Sequence, residues 1–184
     1  MYFLMKKASQ FASWMGPRGW RMWGTFFGTL LWWFLPAARR KILLDNLTQS
    51  LHLSEIETRK LAKENCINMG ILLMEALALP KLNPQNVREW ISMEGEEHLK
   101  EAFAEERGII IATGHHGNWE WLGAGLALYG YPTVAVMTPQ HNKAANQIIM
   151  DLRGGAQMIL AMRADVRDIV RHLKAKRGVG LLMD

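Results

Sequence analysis

The chain has 184 residues, is 49% hydrophobic and 21% charged, and carries a formal charge of +5. Seven of its 22 basic residues (Lys6, Lys7, Arg18, Arg21, Arg39, Arg40, Lys41) precede the first acid, Asp45, so residues 42–184 set the remaining 15 against all 17 acidic ones. The apolar content excludes a disordered chain, the confinement of the surplus excludes a nucleic-acid-binding face spread over the fold, and the single Cys66 excludes a disulfide framework or a multi-cysteine zinc site.

Tyr2 to Met15 is an amphipathic stretch expected to lie along a surface, and Gly16-Pro17 ends it. Met22 to Ala38 is a run of 17 uncharged residues. As one helix it would span about 26 Å, slightly short of the ~30 Å hydrocarbon core of a bilayer. Trp20, Trp23, Trp32 and Trp33 lie near its ends, where indoles favour the headgroup zone, and basic residues flank both sides. A spanning anchor and an interfacial helix both suit this pattern, and a buried core helix is the plainer alternative. Residues 1–41 are thus expected to form a membrane-associating segment.

Residues 38–79 read as helices. Ser54 and Glu57 are spaced as a capping box, and the helix they open is expected to reach Leu79, where Pro80 stops it. Met69 to Leu79 is apolar except for Glu75, whose carboxylate must reach water or find a partner. Cys66 lies in an apolar helical pattern, as a buried thiol does. Further on, Trp90–Met93 reads as a short strand and Glu96–Glu106 as a helix stopped at Gly108. Strands at Ile109–Thr113, Thr133–Met137, Met158–Ala161 and Val179–Met183 then alternate with helices at Asn118–Tyr129, Lys143–Leu152 and Ala164–Lys176. Apolar strands that do not alternate predict an α/β fold, a mostly parallel sheet flanked by helices, which together with the helical lead-in makes up residues 42–184. In such sheets functional loops lie beyond the carboxyl ends of strands. The chain stops at Asp184, on an apolar strand where such a loop is expected, so the domain is expected to be incomplete.

The chemistry concentrates in Thr113-Gly114-His115-His116-Gly117-Asn118-Trp119-Glu120, between a buried strand and a helix. On one helix His115 and Glu120 would be about 140° apart, so they meet only if His115 sits in the preceding turn, which Gly114 and Gly117 permit. A carboxylate bonded to one imidazole nitrogen stabilises the imidazolium and leaves the other nitrogen as a base. Such a pair can deprotonate a hydroxyl that attacks an acyl carbon, and without a Gly-x-Ser-x-Gly elbow that hydroxyl belongs to the substrate. Two other readings stand beside it: a metal site using His115, His116, Glu120 and His141, and a polar turn that merely caps the helix through Asn118.

His115-His116-Gly117-Asn118-Trp119-Glu120 resembles the His-x4-Asp/Glu motif of bacterial lipid A late acyltransferases, within the lysophospholipid acyltransferase superfamily. Arg39-Arg40-Lys41-Ile42, Asn46-Leu47, Glu75 and Gly95-Glu96-Glu97-His98-Leu99 resemble further stretches of that family, so the likeness covers nearly the whole chain. The resemblance implies transfer of a fatty acyl chain from acyl carrier protein to a hydroxyl of a lipid A precursor, at the cytoplasmic face of the inner membrane. It implies His115 as general base, Glu120 as its orienting partner, and Arg153 as a holder of phosphate or head-group. Gly117 and Asn118 are candidates for holding the acceptor or a developing oxyanion. No metal and no organic cofactor is implied, and nucleic acid is not a partner. Family members continue well past Asp184. A relative that acylates another glycolipid or a lysophospholipid, a non-catalytic lipid-binding fragment and a metal hydrolase are the competing readings.

Overall fold

The computed structural model describes residues 1–138, 140–162 and 166–183, without the side chain of Met162. The expected start of a helix at Ala164, and Asp184, lie outside the described residues. The chain forms two compact units, one of residues 15–75 and one of residues 1–14 with 76–184.

The 15–75 unit is helical. Helix α2 (Pro17–Phe34) begins with Pro17 in its first turn, where a missing N–H costs nothing. It does not run through the whole uncharged stretch. Pro36 bars the residue before it from helical backbone, so Leu35 is extended and α3 (Ala37–Leu51) starts a new axis. Among the described residues no helix is long and apolar enough to cross a membrane. One face of α2 repeats every fourth residue: Trp20, Gly24, Gly28 and Trp32 are buried. Gly24 and Gly28 lie against α4 (Glu55–Leu77) at Gly70. A Cβ on Gly24 would run into the backbone of Ile71, and one on Gly28 into that of Ile67. The opposite face leaves Met22, Phe26, Leu30, Trp33 and Phe34 exposed.

Trp32, Ala62 and Cys66 form the buried centre of this unit, with Leu43, Leu44 and Leu47 of α3 packed on it. Burial pushes the Cys66 thiol up from its ordinary pKa, which suits an inert thiol. Arg40 lies over the Trp32 ring and donates to the Trp32 and Trp33 carbonyl oxygens at 2.5 and 3.2 Å. One of the basic residues flanking the uncharged run thus closes the C-terminus of α2. The capping box forms as expected. The Ser54 N–H donates to Glu57 Oε2 at 3.0 Å and the Glu57 N–H returns to Ser54 Oγ at 3.4 Å. The Ser54 hydroxyl, donating to Oε2 at 2.6 Å, and then the Ser54 N–H hold the Glu57 carboxyl below its usual range. Helix α4 stops at Leu77, and Pro80 falls inside a following 3₁₀ turn, Leu79–Lys81. Glu75 is half-buried near its end.

In the other unit a four-stranded parallel sheet has the order β1-β4-β2-β3, from β1 (Ile109–Thr113), β2 (Thr133–Met137), β3 (Ile159–Met162) and β4 (Gly178–Leu182). The crossover helices are α7 (Trp119–Leu128), α8 (Lys143–Gly155) and α9 (Val166–Lys174). The core joins Ala124, Ala127 and Leu128 of α7 to Ile148 and Leu152 of α8, with Leu79, Leu82 and Val87. The N-terminal helix α1 (Tyr2–Trp14) belongs here. Its Ser9 Oγ donates to the Leu77 carbonyl, Ser13 accepts from Lys81, and the Tyr2 hydroxyl donates to Asp151 on α8 at 2.5 Å. Phe3, Leu4, Phe11 and Trp14 stay exposed on its other side.

Two expectations in this unit need correction. Trp90–Met93 is not a strand. Asn83 and Asn86 bond reciprocally through side chain and backbone, which opens a helical turn α5 (Val87–Trp90), and the Ile91 carbonyl accepts from the Tyr129 hydroxyl instead of a ladder partner. Helix α6 (Glu96–Ala104) ends two residues early, because Glu106 takes the left-handed conformation expected of Gly108.

Candidate functional site

The site forms at the carboxyl end of β1. Gly117, with φ of +60°, lets the chain turn between strand and helix. Asn118 then caps α7, its Oδ1 accepting from the Trp121 N–H at 3.1 Å. His115 therefore sits in the turn before the helix, the place the sequence requires if it is to meet Glu120. Its ring meets Trp119 edge to face, with centroids 5.2 Å apart. Glu120 occupies the first turn of α7, where the helix dipole favours a negative charge.

Arg153, in the last turn of α8, reaches across to Glu120. Its Nε donates to Oε2 at 2.8 Å and its Nη2 to Oε1 at 2.6 Å, a two-pronged pair in which each side chain is only 15% exposed. Nη1 points to the Met137 sulfur at 3.5 Å. Each carboxylate oxygen offers about two lone-pair sites, so Glu120 retains room for another donor. The guanidinium read as a head-group holder thus also neutralises and orients the motif carboxylate.

His115, Glu120 and Arg153 line one cavity of about 540 Å³. Gly117 and Asn118 are not among its lining residues. The cavity runs along α7 by way of Trp119, Leu122, Gly123 and Leu126, and along the whole of β2. Residues at its His115 end include Thr138 and Gln140, just past the carboxyl end of β2. Val134, Leu126 and Met158 make the other part apolar. The sequence reading missed this wall, although Trp119, Leu122, Gly123 and Leu126 fall at the spacing of one helical face. For the metal reading, no group of three His, Cys, Asp or Glu residues placed to hold an ion occurs among the described residues.

The sequence matches the profile of the family described as bacterial lipid A biosynthesis acyltransferase over residues 10–184. It is 27% identical, over 88% of its length, to proteins from Escherichia coli K12 and Shigella flexneri named lipid A biosynthesis palmitoleoyltransferase and lipid A biosynthesis acyltransferase. It covers 52% of each. Against an Escherichia coli K12 lipid A biosynthesis lauroyltransferase the identity is 27% over 74% of this chain and 44% of that protein. The chain spans about half the length of these curated relatives. With a match that runs from residue 10 to residue 184, the chain belongs to the bacterial lipid A biosynthesis acyltransferase family.

Proposed function

We propose that this chain carries the catalytic machinery of an O-acyltransferase that moves a fatty acyl group from acyl carrier protein to a hydroxyl of a lipid A precursor. The observation that carries this reading is the placement of His115 on a cavity whose near end holds the Glu120–Arg153 pair and whose far end is apolar. An acyl chain suits the apolar part, which leaves its thioester carbonyl at the histidine.

His115 takes the proton of the acceptor hydroxyl as the oxygen attacks the thioester carbon. The C–O bond forms, the C–S bond breaks, and the imidazolium returns the proton to the departing thiolate. Glu120 stabilises the imidazolium and is itself held by Arg153. The guanidinium has five N–H donors, so donors remain for phosphate or head-group oxygens of the acceptor. Gly117 and Asn118 act in shaping the turn that presents His115. An oxyanion role would need an N–H donor, the Gly117 N–H or the Asn118 Nδ2, since the Asn118 Oδ1 only accepts and is engaged in the cap.

The chain works at the cytoplasmic face of the inner membrane in this reading. On α1 the exposed Phe3, Phe11 and Trp14 stand beside Lys7, and on α2 the exposed Phe26, Trp33 and Phe34 follow Arg18 and Arg21. Aromatic faces with basic neighbours suit an interface rich in anionic lipid. The experiment is acyl transfer by the full chain from acyl-loaded carrier protein to a lipid A precursor in mixed vesicles, followed by mass spectrometry. Acceptor gaining one acyl group, with loss of activity in folded His115→Ala and Glu120→Ala variants, supports the proposal. Full activity in His115→Ala ends the general-base role. Acyl binding without transfer supports the non-catalytic reading, and transfer only to a lysophospholipid supports that acceptor instead.

A further inference from the structure

The geometry points to Gly123 and Met158 as the pair that sets the length of acyl chain the cavity admits, an inference that rests on the acyl-transfer reading above. The cavity follows β2 from Met137 to Thr133, about 13 Å at roughly 3.3 Å per residue. His115 follows the carboxyl end of β1, so the reacting carbonyl lies at that end of the parallel sheet. Val134 pairs with Ile159, which puts Met158 level with Thr133 at the amino end. Gly123 lies one turn beyond Glu120 on the same side of α7.

A Cβ built on Gly123 would come 2.5 Å from the Met158 Cε. The thioether methyl therefore occupies the room that a side chain at 123 would take, and both residues line the cavity away from His115. The wall here is bare helix backbone facing an unbranched, three-torsion side chain, which moves where a branched residue would not. Gly123→Ala drives that methyl toward the cavity and shortens it. Met158→Ala removes the thioether and deepens it. The two changes have opposite signs at one place, which general loosening of the fold would not produce. Alanine at 123 also raises helix propensity.

The test is displacement of a fluorescent fatty acid from the full chain by saturated fatty acids from octanoate to palmitate. Binding is read without transfer, and circular dichroism confirms the fold of each variant. Gly123→Ala is expected to move the preferred length to shorter chains, and Met158→Ala to longer ones. Each methylene that no longer fits costs about ten- to two-hundred-fold in affinity. An unchanged profile, a shift of both variants in one direction, or no fatty-acid binding overturns the inference. Graded binding without any acyl transfer would sink the acyl-transfer reading and leave the length-setting pair standing. Transfer with an unaltered length profile would do the reverse.

Discussion

Arg153→Met keeps much of the side-chain volume and removes the guanidinium, leaving Glu120 as a mostly buried carboxylate without its two-pronged partner. Breaking a fully buried pair this way costs about 3–5 kcal/mol, mostly for the stranded charge. With each side chain 15% exposed, water reaches part of the site, so the lower end, about 3 kcal/mol, is expected. For a chain of this size that is roughly 6–12 °C in the midpoint of the sheet unit, at about 2–4 °C per kcal/mol. Urea unfolding followed by far-ultraviolet circular dichroism gives the number, and the double variant Glu120→Gln with Arg153→Met gives the coupling. Because neither charge is stranded in the double variant, it is expected to be more stable than additivity allows by about 2 kcal/mol. Arg153→Lys keeps the charge but loses the fork and should fall between. A loss below about 1 kcal/mol, the worth of an ordinary surface pair, or strict additivity would show that Glu120 does not depend on Arg153.

Gly70→Ala should destabilise the helical unit by about 1–3 kcal/mol, because its methyl meets the backbone of Gly24 and Gly28 and must push two helices apart. A neutral result in thermal unfolding would mean the helices are not in that contact. Asn118→Ala should cost about 1 kcal/mol through loss of the α7 cap, and Asn118→Ser should recover most of it. The His172 imidazole is pushed below its ordinary pKa, first by burial and then by Arg177 and Arg171, so the folded state binds fewer protons than the unfolded one as pH falls past 6.5. The chain should therefore lose stability from about pH 6.5 downward until His172 protonates in the fold, with no penalty above, and His172→Gln should flatten that slope. Equal slopes in urea titrations across that range would assign the acid sensitivity elsewhere.

Strands β1 and β2 were legible to the residue, because a strand buried in a parallel sheet is a short uninterrupted apolar run between turn residues. The capping box at Ser54 and the position of His115 in a turn were legible too, since both are local rules. Apolar counting overran Pro36, where the restriction on the preceding residue was the signal to use. Trp90–Met93 misled because two asparagines upstream settle the backbone before any strand pattern can act. The Gly24-x-x-x-Gly28 spacing marks a close helix contact, but not that Gly70 meets it. Pairing between Glu120 and Arg153, and the meeting of Gly123 with Met158, join elements far apart in sequence. No periodicity encodes such distances, so the site's charge balance and the cavity wall emerge only from the fold.

The most direct measurement is the lipid A of a bacterial host lacking its own late acyltransferases, analysed by mass spectrometry after expression of the chain. The wild-type chain is expected to add one fatty acyl group to the hydroxyl-bearing precursor, and His115→Ala, at equal abundance, none. An unaltered precursor with the wild-type chain, or acylation that survives His115→Ala undiminished, would contradict the proposed role of His115.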